Sequence, residues 1–197
     1  MKYYNNLDLP PIPPELLKFD FDDTEMCTPI AKFDKFDYNV DSYINGVYVK
    51  PPSYYVYGIN PELSPLKQWI NENIPYKTSN IIYHITMTHS NHGQMILHTD
   101  RGRKVGLNYV IEPGGDEVTT NWYQEKGMPI IREPASGYDQ TAEGFVKYDN
   151  VELLDSTVFK KNSWCSIRTN VLHDVTNIDS ARLLLCIGLA DTSCFKD

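Results

Sequence analysis

Between residues 79 and 190 the chain reads as eight short apolar runs with an alternating pattern, separated by turn residues. No other feature restricts the fold as much. The runs are 81–87, 94–98, 104–111, 117–123, 151–159, 163–168, 171–176 and 182–189. Pro113-Gly114-Gly115-Asp116 is a strong turn signal between the third and fourth. Eight strands so spaced predict a mainly β fold, a sandwich or barrel, with the double-sheet jelly roll the natural candidate. The series breaks once, at 127–150. A connection of about 24 residues exceeds the usual range, and its Gly, Pro, Tyr and charge fit a cover over a site or a disordered excursion.

The first 78 residues form a different zone. Leu9-Pro10-Pro11-Ile12-Pro13-Pro14 is expected to be extended polyproline II, because each proline fixes φ and disfavours helix before it. An arm packed across the domain is one reading, and a docking peptide for a partner the other. Short strands are expected around 31–36 and 46–49. Leu63, Leu66, Ile70 and Ile74 recur at three- and four-residue spacing, which predicts a one-sided helix ended by Pro75. Either Asn60-Pro61 or Ser64-Pro65 supplies the cap, and the helix is expected on the outer face of a sheet. No linker between two cores is visible, so 1–197 is expected to be a single domain, with 1–78 as arm and supporting helix and 79–190 as the β core.

A net charge of -8 and a pI near 5.1 argue against a surface built to neutralise phosphates, so no nucleic-acid partner is expected. No apolar run reaches the roughly 20 residues that span a bilayer, and the N-terminus lacks the apolar segment of a signal peptide. No membrane association and a cytoplasmic location are the expectation. Cys27, Cys165, Cys186 and Cys194 show no CxxC spacing and are read as reduced and structural.

The chemistry-bearing residues cluster at the ends of the predicted strands. His98 closes the second run, and Asp100, two residues on, points to the same side. A lone pair of this kind is near coincidence level. His173 lies within the seventh run, however, and Arg182 opens the eighth. Two imidazoles and one carboxylate, with positions left open on the metal, form the set that suits non-haem Fe(II). His84, His89 and His92 bracket a polar loop without a carboxylate partner and are set aside as a second metal site.

In order and approximate spacing, His98, Asp100, His173 and Arg182 resemble the HxD, distal His and downstream Arg of the 2-oxoglutarate- and Fe(II)-dependent oxygenases. The run His173-x-Val175-x-Asn177 followed by Arg182-Leu183-Leu184-Leu185 looks most like their aspartyl/asparaginyl β-hydroxylase branch. The resemblance covers roughly residues 79–190. It implies a double-stranded β-helix, a jelly-roll or cupin-like barrel, with Fe(II) at one open end. It also implies 2-oxoglutarate bound to the metal, its distal carboxylate on Arg182, and O2 as co-reactant. The activity implied is hydroxylation of an amino-acid side chain, free or within a protein, or of another small substrate.

Around that set, Val105, Leu107, Tyr109 and Ile111 share one strand face and leave Asn108 on the other. Asn108 is thus placed either to touch 2-oxoglutarate or to make a cross-strand hydrogen bond. Tyr83 is a candidate hydroxyl donor to the co-substrate carboxylate, or a core tyrosine. Trp122 and Arg168 are candidates for lining the substrate end. Arg101 and Arg103 are expected at the entrance, as attractors of an anion or as a solvated loop. Two alternatives stand beside the hydroxylase: a cupin-like metal enzyme that does not use 2-oxoglutarate, and a non-catalytic β-barrel binding module with a proline-rich docking arm.

Overall fold

The computed structural model describes residues 1–18, 27–33, 43–44, 47–48, 53–59, 65–87, 97–100, 104–126, 142–145, 151–189 and 193–195. The strands run in the order β1 (Tyr4–Leu7), β2 (Cys27–Phe33), β3 (Tyr43–Ile44), β4 (Val47–Tyr48), β5 (Ser53–Ile59), β6 (Thr78–Met87) and β7 (His98–Asp100). There follow β8 (Val105–Glu112), β9 (Thr119–Glu125), β10 (Ala142–Phe145), β11 (Val151–Val158), β12 (Ser163–Arg168), β13 (Leu172–Thr176) and β14 (Arg182–Leu189). One helix, α1 (Pro65–Asn73), precedes β6, and 3-10 turns occur at Pro14–Leu17 and Ser193–Phe195.

Two antiparallel sheets carry the fold, of seven strands in the order β1-β12-β8-β14-β6-β5-β2 and of five in the order β10-β7-β13-β9-β11. From β6 onward the chain crosses between sheets at almost every step. β6, β8, β12 and β14 lie in the larger sheet, and β7, β9, β11 and β13 in the smaller. This winding is the double-stranded β-helix, a jelly roll. It is not a closed barrel: among the described residues the sheets end on separate edge strands, β1 and β2 in one, β10 and β11 in the other. Closure would need ladder hydrogen bonds from one sheet to the other.

The alternation in β8 explains how both faces of the larger sheet are covered. Leu107 and Tyr109 meet Leu66 and Ile70 of α1, with Ile74, Trp164, Leu185 and Ile187 in the same cluster. Val110, on the other face of β8, packs inward with Cys165, Ile167, Leu184, Cys186 and Trp122, the last reaching across from the smaller sheet. The helix therefore sits on the outer face of the sheet, as its one-sided spacing predicts. Its observed start is Pro65, and residues 60–64 lie outside the description.

The proline-rich segment is an arm packed across the domain. β1 adds to the edge of β12, with Leu7 opposite Trp164. Trp164 Nε1 donates to the Pro10 carbonyl at 2.8 Å, and Ile12 is buried in the α1 cluster. Proline has no N–H to offer a ladder, so the arm is held through its carbonyls and its apolar side chains. β5, with the sequence SYYVYGI, extends the larger sheet beyond β6 and is absent from the expectations above. Its Tyr and Val content suits a strand. The strand expected at 31–36 is shifted to β2, and the one expected at 46–49 is the short β4.

Candidate metal centre

β7 and β13 are paired so that His98 stands directly opposite His173. Facing residues in an antiparallel pair point to the same side of the sheet, and Asp100, two positions along β7, points with them. That side faces the other sheet, because Trp122, the β9 residue opposite His173, packs among the inward residues of β8, β12 and β14. His98 Nε2 lies 3.4 Å and His173 Nε2 3.8 Å from Asp100 Oδ1. The two imidazole rings tilt at 44° with centroids 4.5 Å apart. The side chains are 14% (His98), 10% (Asp100) and 6% (His173) exposed, so all three are largely buried.

Backbone contacts hold these groups in place. The Asp100 N–H donates to the Thr169 carbonyl at 2.8 Å, and the Thr169 N–H in turn to the Lys104 carbonyl at 3.1 Å. His173 Nδ1 is 2.8 Å from the Val171 carbonyl. A carbonyl only accepts, so Nδ1 carries a proton, and Nε2 is the ring nitrogen turned toward Asp100. Fixing the tautomer through the distal nitrogen is the usual support for a metal-ligating histidine. One ligand atom from each of His98, Asp100 and His173 lies within 4.8 Å of the others, and this set could hold a metal ion. Neighbouring ligands of an octahedral ion sit about 3 Å apart, so the observed 3.4 and 3.8 Å separations need only small side-chain rotations to close. Two neutral nitrogens and one carboxylate suit a divalent first-row ion that keeps open positions.

Arg182, the first residue of β14, is buried at 6% exposure. It lies on the same face of β14 as Leu184 and Cys186, the face that meets Trp122. Burial lowers its pKa, with the thiols of Cys186 and Cys165 acting in the opposite sense. The guanidinium nevertheless stays protonated. Among the described residues it makes no ion pair. A buried cation without an anion is costly unless a ligand supplies one. Asn108 lies between Cys165 and Cys186 in the sheet register, on the inward face. It is buried, and its Oδ1 has no hydrogen-bond partner among the described residues. The cross-strand bond weighed for it above is therefore not made through Oδ1.

The remaining candidates fall elsewhere. Trp122 is fully buried, donates Nε1 to the Arg168 carbonyl at 3.2 Å, and stacks on Tyr4 at 5.4 Å and Tyr3 at 6.2 Å. It forms an inner wall beside His173. Arg168 ties the two ends of the chain together. Its Nε donates to the Lys2 carbonyl at 2.9 Å, and its guanidinium lies over the Phe195 ring at 4.6 Å. Tyr83 is a β6 residue opposite Leu185, and its side chain lies outside the described residues, as do Arg101, Arg103, His89 and His92. Of the 127–150 segment, β10 is described. It pairs with β7 so that Ala142 faces Asp100 and Phe145 faces His98. Sequence reasoning missed the Thr169 and Val171 carbonyls, because backbone acceptors leave no residue-type signal.

No family model matches the chain. No curated protein matches it either. Among solved structures, Escherichia coli ycfD aligns with 98% of this chain and 51% of its own, at TM-score 0.46 and 10% identity. The structure titled YcfD, a ribosomal oxygenase from Escherichia coli in complex with cobalt and 2-oxoglutarate, aligns at 0.38 and 10%, over 82% of this chain and 36% of that one. A Pseudomonas putida prolyl-4-hydroxylase aligns at 0.39 and 13%, over 74% and 78%. The chain spans about half the length of the first of these.

Proposed function

We propose that this protein is an Fe(II)- and 2-oxoglutarate-dependent oxygenase that hydroxylates a carbon of an amino-acid side chain, free or within a protein. The observation that carries the reading is a buried Arg182, without an ion pair among the described residues, on the inward face of its sheet toward the same inter-sheet space as His98, Asp100 and His173. A metal alone does not account for the arginine. A metal bound together with an acidic co-substrate accounts for both.

In this reading His98 Nε2, His173 Nε2 and an Asp100 oxygen hold the metal. The Val171 and Thr169 carbonyls keep His173 and Asp100 aimed at it. The planar fork of Arg182 receives the distal carboxylate in two parallel hydrogen bonds. Trp122, Leu184 and Val110 line the same interior, and an apolar surrounding strengthens such a pairing. Bound there, Fe(II) and 2-oxoglutarate would supply the oxidising chemistry for hydroxylation, with succinate and CO2 as co-products. The finer reading within this class, an aspartyl/asparaginyl β-hydroxylase-like enzyme, is supported by the run from His173 through Asn177 to Arg182.

The test is spectroscopic. Anaerobic Fe(II) plus 2-oxoglutarate should produce a visible metal-to-ligand charge-transfer band, absent in His98→Ala. Arg182→Ala should keep stoichiometric Fe(II) while losing 2-oxoglutarate binding by about a hundredfold. Iron retention with no band and no succinate in the native protein would favour a metal enzyme that does not use 2-oxoglutarate. Absence of any bound transition metal after reconstitution would favour a non-catalytic binding module.

A further inference from the structure

The turn between β8 and β9 lies against the start of β14. Gly114, at φ +88°, occupies its apex, and a Cβ built there would lie 2.9 Å from Arg182 Cβ, 3.3 Å from Ile178 Cγ2 and 3.3 Å from the Ser180 carbonyl oxygen. The first distance is closer than two side-chain carbons come. Arg182 Cβ is bonded to the backbone and cannot swing away as a side-chain tip would. The Gly114 carbonyl also accepts the N–H groups of Asp179 and Ser180, both at 2.9 Å. Asn177, itself at φ 60°, donates Nδ2 to the Glu117 carbonyl at 3.3 Å. One turn therefore grips the whole segment that joins β13, the strand of His173, to Arg182.

We infer that Gly114 is a positioning residue that sets the reach between the metal triad and Arg182, and through it the chain length of the dicarboxylate held between them. The inference rests on the 2-oxoglutarate reading above. The triad lies in the smaller sheet and Arg182 in the larger, and the segment gripped by the turn connects them directly. A diacid anchored at both ends tolerates little error in that span, since misplacement by about 1 Å can cost a hundredfold. Only a residue without Cβ lets the turn lie this close to Arg182 Cβ and the Ser180 carbonyl, and tolerates the positive φ at low cost.

The experiment is anaerobic calorimetric titration of protein loaded with Mn(II), which avoids turnover. Native protein should bind 2-oxoglutarate more tightly than the 2-oxo diacids one methylene shorter and one longer. Gly114→Ala should weaken 2-oxoglutarate binding by about tenfold or more and narrow the preference among the three, with Mn(II) affinity within about twofold of native, as expected when His98, Asp100 and His173 are untouched. Gly115→Ala is the control. It also falls at positive φ (+142°) but faces Asp179 and Val118 instead of Arg182, and it should keep the preference. If Gly114→Ala does not fold, Asn177→Gly carries the test: it keeps the positive φ, removes the bond to Glu117, and should weaken 2-oxoglutarate by about threefold. Native affinity and preference in the folded Gly114→Ala, or failing that in Asn177→Gly, overturn the inference and leave the oxygenase reading standing. Equal loss in Gly115→Ala overturns it too, since turn strain would then suffice. Native protein that takes up Mn(II) and none of the three acids overturns both.

Discussion

His98, Asp100 and His173 are unremarkable as residues, and what makes them a set is that each inward position is flanked by an outward one packed elsewhere. The same alternation buries Asp174, the neighbour of His173, on the opposite face. There Asn121 Nδ2 donates to one carboxylate oxygen at 2.8 Å and the Tyr123 hydroxyl to the other at 3.2 Å. Burial and the Asp174 charge push the Tyr123 hydroxyl well above its ordinary range. Burial likewise pushes up the Cys165 thiol, with Arg182 opposing and Cys186 adding. Both groups keep their protons in the folded chain. The unfolded chain loses them near 9.0 for the thiol and 10.0 for the phenol. Above those values the folded state binds more protons than the unfolded, so stability falls as pH rises, by up to about 1.4 kcal/mol per pH unit for the fully buried Cys165 and by less for the partly exposed Tyr123. Below about pH 8 neither group gives a slope. Urea midpoints between pH 9 and 10 should therefore decline, and less steeply in Cys165→Val; an unchanged slope in that variant would contradict the assignment. None of this was legible in the sequence beyond Cys165 lying in an apolar run, because a pKa shift depends on neighbours brought in by pairing.

At the level of elements, α1 and the larger sheet show how a helix of nine residues is held. A helix this short is marginal alone, and its stability comes from Leu66 and Ile70, which lie 1% and 0% exposed against Leu107, Tyr109 and Leu185. Ile70→Ala should cost about 2–5 kcal/mol, read as a lower urea midpoint with an unchanged m value. The far side of the same sheet carries Asn108 and Arg182, so this lesion should also weaken the carboxylate pairing proposed for Arg182. The eight core runs were readable because half-buried strands alternate with period two and a one-sided helix repeats at 3.6. β5 escaped that reading, since a Tyr-rich edge extension gives no clear in–out pattern. Of the run read at 94–98, residues 94–96 lie outside the described residues, and the described strand β7 is His98–Asp100. The ladder with β13 and β10 begins at His98.

The whole molecule retains a cost that its proposed function explains. Arg182 is charged, buried and without a carboxylate partner among the described residues. Replacing it with methionine should raise the thermal midpoint of the ligand-free protein, by the roughly 1–3 kcal/mol expected when a poorly compensated buried charge gives way to an apolar side chain. The same variant should lose the further rise that metal plus 2-oxoglutarate gives the native protein, about 2.7 kcal/mol when the ligand is at a hundred times its Kd. Thermal denaturation of both proteins, with and without Mn(II) and 2-oxoglutarate, checks the two signs together. A ligand-free Arg182→Met less stable than native would mean that the guanidinium is compensated in the absence of ligand.

The sequence by itself determined the mainly β class, the eight core strands, the helix, the turn at Gly114 and the order His98, Asp100, His173, Arg182. These follow from side-chain periodicity and backbone preference, which are local properties. Tertiary structure decided which of those residues meet. Register put His173 opposite His98 and Asn108 between two thiols. Burial took Trp122 into an inner wall and left Arg182 without an ion pair among the described residues. The fold also brought Gly114 against Arg182 and Ile178. Each of these depends on pairing between segments tens of residues apart, and hydrogen-bond register and the filling of one shared interior specify it where local sequence does not.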